Sequence, residues 1–232
     1  MTRYTSAYSA FNSRVGEVET LRRHARSQEK IDPVKLRNDV NALCRGAIVL
    51  LSGHVEAFIR DLGELAIDSM HAKQVPRTNL PSSLFSHISQ DIISEVKATN
   101  EPARIADKIF AFLQDDLPYW SRTGPFPDPV PTDRFNRGFS NPAFEKIRSY
   151  FNRFGYMDYR SDLASRLRAR YQPTVNMVDH LVDTRNKIAH GDPNASKTPS
   201  EIADMISIMR LFCNATDAVF ATWWRANFCA IR

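Results

Sequence analysis

Apolar residues recur at helical spacing along nearly the whole chain, and no stretch keeps the alternation of a strand. Tyr8, Phe11, Val15, Val18 and Leu21 fall three and four residues apart, which predicts a first helix from Tyr4 to about Gln28. Asp32 and Pro33 mark a new start, because aspartate accepts from the free N–H groups of a first turn and proline has no N–H to leave unpaired there. A long helix is predicted from them to about Ala72. Its stretch Ala47–Ile67 (AIVLLSGHVEAFIRDLGELAI) is apolar round most of its circumference, as in a helix buried at the centre of a fold. Pro76 and Pro81 bracket a loop. Medium helices are predicted over Ser83–Lys97 and Pro102–Asp116. A long loop follows over Leu117–Asn141, where TGPFPDPVP holds four of the 13 prolines. Further helices are expected near Pro142–Arg153 and Ser161–Arg170. Pro173 opens another, ended by Gly191, Asp192 and Pro193. The last starts at Pro199 or Ser200 and includes SEIADMISIMRLFCNATDAVFATWW. The expected architecture is all-α: one helical bundle over residues 1–232, interrupted at about 117–171 by an irregular Pro- and aromatic-rich insertion.

A length of 232 residues with 43% hydrophobic side chains suits a single domain with a proper core. The N-terminus, MTRYTSAYSAFNSR, lacks the apolar run of a signal peptide. The longest apolar run, Ala47–Leu51, falls far short of the roughly 20 residues of a membrane helix. A soluble cytoplasmic protein with no membrane partner is expected. Cys44, Cys213 and Cys229 are too scattered for a disulfide framework or a zinc site, and no His/Cys/carboxylate set has ligand spacing, so neither metal nor cofactor is expected. The net charge is +5, a weak pointer to an anionic partner. Its distribution says more. Residues 117–171 hold ten basic against five acidic side chains, and 12 of the 24 aromatics. Such a segment, with Arg166, Arg168 and Arg170 at its end, suits tracking an RNA backbone and stacking unpaired bases. Alternatively, the aromatics fill a core and the arginines are merely solvated.

The chemistry is concentrated in TRNKIAHG, residues 184–191. With Asp179 placed at zero and roughly 100° per residue, Asp183, Asn186 and His190 fall within about 40° of it, forming a polar stripe. Met177, Val178, Leu181, Val182, Ile188 and Ala189 take the opposite arc, and Arg185 falls in its middle. A buried arginine needs a partner, since an unpaired buried charge costs several kcal/mol. Its stem can snorkel to the bundle edge. Otherwise it needs a substrate phosphate or a carboxylate, for which Glu56 is the best candidate, on a stripe with Ser52 and Gly63 that would let another helix approach. His190 stands at a helix C-terminus, where the macrodipole favours a protonated ring. It suits general acid–base work, with Asn186 four residues back to orient it. The plainer alternative is a histidine that only caps carbonyls. His54, His71 and His180 have no evident nucleophile, and there is no phosphate-binding glycine loop.

The Arg-Asn-x-x-x-His arrangement of Arg185, Asn186 and His190 resembles the Rx4–6H motif of the HEPN superfamily. LLSGHVEAFIRDL (Leu50–Leu62) is similar to the early helix of its RiboL-PSP-type members, which carry a glutamate near the place of Glu56. The resemblance implies an antiparallel helical bundle, usually dimeric. It implies a metal-independent endoribonuclease using His190 to move protons, Arg185 to stabilise the phosphorane-like transition state and Asn186 to orient. Glu56 and Asp183 would support them. Attack by the 2′-hydroxyl would leave 2′,3′-cyclic phosphate and 5′-hydroxyl ends. Toxin–antitoxin, phage-defence and RNA-processing settings go with such members, and an antitoxin or defence-system protein would then be a partner. Other members are non-catalytic modules that bind a nucleotide or a partner protein. Arg185 and His190 diverge by roughly 140° on an ideal helix, so one helix does not easily aim both at one phosphate. Two motif helices across a twofold axis do.

Overall fold

The computed structural model describes residues 4–232, and among them there are ten α-helices and no strand. The helices are α1 (Ser6–Ile31), α2 (Arg37–Ala72), α3 (Ser82–Ile88), α4 (Gln90–Ala98), α5 (Pro102–Asp115), α6 (Thr132–Asn136), α7 (Phe144–Asn152), α8 (Tyr159–Leu167), α9 (Tyr171–Ala189) and α10 (Pro199–Asn227). Helices α1, α2, α9 and α10 pack against one another as the main bundle. Their contacts run antiparallel. Arg14 pairs with Asp61 and Glu17 faces His54 between α1 and α2, while Thr5 bonds Asp217 and Glu19 faces Arg210 between α1 and α10.

Local sequence starts α1 and α10 where side chains accept from the unpaired first-turn N–H groups. The Thr5 hydroxyl caps α1, and a reciprocal Thr198–Glu201 box caps α10. Backbone hydrogen bonding from Thr198 holds the Glu201 carboxyl below its ordinary range. The Asp32 carboxylate accepts from Val34 and Lys35, but the helix it was expected to open begins only at Arg37. Pro173 does not open α9, which already starts at Tyr171. A proline inside the first turn removes an N–H that has no helical partner anyway. The single helix expected over Ser83–Lys97 is two, parted at Ser89, whose buried hydroxyl accepts from the Trp120 indole at 2.8 Å.

Helix α2 is the centre of the core, with Cys44, Ile48, Leu51, Phe58, Ile59, Leu62 and Ala66 fully buried. By length and composition alone it would also qualify as a membrane span. Here α1, α9 and α10 cover the buried part of its apolar surface.

Residues 117–171 differ most from expectation. Leu117–Tyr119 is a short 3-10 turn, α6 forms within the stretch read as loop, α7 starts at Phe144, and α8 stops at Leu167 rather than Arg170. Phe126, Phe135, Phe139, Phe144, Tyr150, Phe151, Phe154, Tyr156 and Tyr159 are all buried in the same core as α2 and α10. They are therefore packing residues, and a base-stacking platform over the whole segment is excluded. The "small" position Gly63 does admit a neighbour, and that neighbour is Tyr150 of α7. The Tyr150 hydroxyl donates to Asn136 Oδ1, and Asn136 Nδ2 donates to Glu64 Oε1 at 2.6 Å.

Burial raises the Glu64 carboxyl above its ordinary range. The folded state therefore favours its protonated form, and stability falls as pH rises from the unfolded value through the folded one. Glu64→Gln keeps the acceptor for Asn136 without the charge. It is expected to melt above wild type at pH 7, with the gap closing below the ordinary carboxylate range; parallel melting curves from pH 4 to 8 would contradict this.

Candidate active site

Helix α9 ends where the motif ends, for a local reason. His190 is its C-cap, donating its N–H to Asn186 O at 2.9 Å, and Gly191 follows in the left-handed region at φ +81°. A glycine takes that conformation without a Cβ clash, and its N–H and that of Asp192 close back onto Ile188 and Lys187. Arg45 of α2 then pins the exit, donating to Asp192 O at 2.6 Å and Ala195 O at 3.3 Å. The imidazole of His190 is left exposed, on the same open side as Asp183, and neither side chain has a hydrogen bond or ion pair among the described residues.

Arg185 lies half-buried, as its place in the apolar arc requires, while Ala189, assigned to the same arc, is exposed in the helix's final turn. The guanidinium does not pair with Glu56. Its Nη1 donates to Asn141 Oδ1 at 2.8 Å and to Asn186 Oδ1 at 3.1 Å. Glu56 instead holds Arg60 through Oε1 at 3.0 Å and accepts the Asn141 backbone N–H through Oε2 at 3.0 Å. So Glu56 reaches Arg185 only through Asn141. Asn186, expected to orient His190, spends its amide oxygen on Arg185. Asn141 has φ +53°, a conformation asparagine tolerates better than most residues.

The loop before α7 is thereby clamped from two helices. Arg60 donates to Phe139 O at 2.5 Å and Glu56 accepts from Asn141, both from α2. From α9, Arg185 holds the Asn141 side chain and Asp179 Oδ1 accepts the Phe144 N–H at 2.8 Å, which caps α7. Asn141, Arg60 and Asp179 are site residues that the sequence reading missed as such. Asn141-Pro142 is a turn signal, but nothing in it points to an arginine 44 residues on.

The family model of RiboL-PSP-HEPN matches residues 9–222, which takes in α2, the motif and the whole of 117–171. The chain belongs to the RiboL-PSP-HEPN family. Membership in this HEPN family points to a ribonuclease or nucleotide-related function. Neither a search of curated proteins nor one of solved structures returned a match.

In this HEPN chain no group of three or more His, Cys, Asp or Glu residues able to hold a metal ion occurs among the described residues. Arg166, Arg168 and Arg170 are exposed, and they lie before α9, at the opposite end of that helix from His190. Between Arg45 and Glu56, α2 leaves Val49 40% exposed, and a Cβ at Gly53 would meet nothing within 4 Å. An open apolar strip thus runs along the core helix between the two residues that brace the motif.

Proposed function

We propose that this chain is a metal-independent endoribonuclease, with Arg185 and His190 as its catalytic pair. One observation carries the reading. Both partners of the half-buried Arg185 are neutral amide oxygens, and no carboxylate forms an ion pair with it among the described residues. The guanidinium is held in place with its charge uncompensated, as a phosphate-binding arginine needs to be. The nearby glutamate is spent on Arg60. A purely structural Arg185–Glu56 pair is thus not what the fold contains.

In the proposed reaction the RNA 2′-hydroxyl attacks its own phosphate, His190 moves the proton, and Arg185 neutralises the oxyanion of the pentacoordinate state. Asn141 and Asn186 position the guanidinium, Glu56 fixes Asn141, and Asp183 borders the open side. The active assembly is a homodimer, which the bare strip at Val49 and Gly53 supports: it is an apolar face beside the motif. DNA, without a 2′-hydroxyl, is not cut.

The test is incubation of wild type and His190→Ala with pooled tRNA and single-stranded RNA in EDTA, with the fragment ends mapped. Cleavage by wild type alone, leaving cyclic phosphates, supports the reading. No cleavage by a folded wild type transfers the site to nucleotide or partner binding without catalysis.

Asn141→Gly keeps the backbone conformation and removes the arginine's anchor. Hydrogen bonds to charged groups are worth about 1.5–3 kcal/mol, so cleavage should fall by roughly 10- to 100-fold, with a loss of melting temperature no larger than that of Arg185→Ala, which breaks the same bond. Asn141→Asp, which keeps an acceptor but supplies a countercharge, should also lose activity. Wild-type cleavage rates in Asn141→Asp would show that neutrality at that position does not matter.

A further inference from the structure

Ten basic residues lie in 117–171, and the structure sorts them. Arg134, Arg137, Arg148 and Arg160 are in ion pairs, and Arg153 donates to backbone carbonyls of Phe135 and Arg137. Arg122, Arg166, Arg168 and Arg170 have neither kind of partner among the described residues, although Arg166 acts at longer range on the buried Asp217 carboxyl, and Arg166 and Arg168 both line one cleft of about 590 Å³ between α8 and α10. Its other wall includes Thr222 and the half-buried indole of Trp223. Tyr156, fully buried, stacks on that indole at 4.5 Å and 11°, which fixes the ring in the wall. The cleft's acidic lining residue, Asp162, is engaged by the Tyr156 hydroxyl at 2.7 Å.

The backbone supplies a second, independent sign. Arg168 has φ +53° and ψ −127°, the first central position of a type II′ turn, which glycine dominates. An arginine there costs stability, and its side chain makes no hydrogen bond or ion pair among the described residues to offset it. Strained residues of this kind cluster at functional sites.

We infer that the α8–α10 cleft is a binding site for single-stranded RNA, taking phosphates on Arg166 and Arg168 and a base against Trp223. It rests on the ribonuclease reading for its ligand and extends it to a second site. Exposed guanidiniums outside any ion pair supply the backbone contact and a braced indole the stacking surface. The cleft adjoins the start of the 19-residue α9, whose other end is His190. At a rise of ~1.5 Å per residue that separates the two sites by roughly 28 Å, or about eight nucleotides at the ~3.4 Å rise of a helical strand. The cleft therefore favours long RNA over short and sets where along the strand the motif acts.

The experiment measures fluorescence anisotropy with uncleavable, fully 2′-O-methylated oligonucleotides of about four and about sixteen nucleotides. Wild type should bind the long one at least about tenfold more tightly. R166E/R168E should erase that length advantage and lower the salt-dependence slope by about 1.4, at ~0.7 per phosphate contact on a single strand. Arg168→Gly should also weaken long-oligonucleotide binding while melting at or above wild type, a split that a merely structural arginine would not give. Unchanged long-oligonucleotide binding in R166E/R168E, or no length advantage in wild type, overturns the cleft assignment. Because no cleavage is needed, the two readings separate. Arg166/Arg168-dependent binding by a protein that never cuts RNA leaves the cleft standing and removes the ribonuclease, and cleavage with unaltered binding in the variants does the reverse.

Discussion

Replacing His190 with alanine is expected to lower metal-independent RNA cleavage by about 10²- to 10⁴-fold, the usual worth of a positioned proton-transfer group. Melting temperature should hardly change, because the imidazole is exposed and makes no hydrogen bond or ion pair among the described residues. Arg185→Ala should cost at least as much, since it removes the cation at the developing charge. It should also cost some stability, because it releases Asn141 and, through it, the clamped start of α7. The two single variants thus differ in a readout that a common catalytic loss would hide.

Mixing those two variants tests the assembly. Arg185 turns inward to Asn141 while His190 stands on the open side, in keeping with their divergence of roughly 140° along the helix. If each phosphate is held by an arginine from one chain and met by a histidine from the other, a mixed dimer has one site with both defects and one with none. About half of wild-type activity per mixed dimer should return on co-refolding the inactive proteins. Persistent inactivity of verified mixed dimers would place both residues of each site in one chain.

The sequence made the bundle legible because burial and period coincide there. The apolar circumference of Ala47–Ile67 marks a central helix once no membrane is invoked, and Gly191 ends α9. The stop at Gly191 also put His190 at a free helix end, as observed. What stayed hidden depends on partners distant in the chain. Arg185 was rightly placed in an apolar arc, but a carboxylate was sought for it when the acceptor is an amide 44 residues earlier, in a loop whose shape depends on Glu56 and Arg60. The aromatics of 117–171 left two readings open. Their density is equally expected of a base-stacking surface and of a core, and only packing against Phe220 and Trp224 of α10 separates the two. The charges show the same limit. Ten basic residues look alike in sequence, whereas the structure leaves Arg166 and Arg168 unpaired in one cleft.

Gly63→Ala should be among the most destabilising single substitutions in the chain. A Cβ there would lie 2.0 Å from the Tyr150 hydroxyl oxygen and 2.8 Å from Cζ, far inside van der Waals contact. Tyr150 cannot swing away cheaply. It is fully buried, its ring lies 4.7 Å from that of Phe139 and 5.9 Å from that of Phe135, and its hydroxyl is committed to Asn136. Overpacking of about 1–3 kcal/mol then adds to loss of a buried hydrogen-bond chain of about 1–3 kcal/mol. A total near 3 kcal/mol or more corresponds to a fall of roughly 6–12 °C in melting temperature for a domain of this size. Gly16→Ala in α1 is the control, because nothing lies within 4 Å of the added methyl. Alanine is the better helix former by about 0.5–1 kcal/mol, so that variant should melt above wild type. Adding Tyr150→Phe to Gly63→Ala should recover part of the loss, although Tyr150→Phe alone is destabilising, so the two changes should couple with opposite sign. Additive losses would mean that Gly63 matters for something other than the seat of Tyr150.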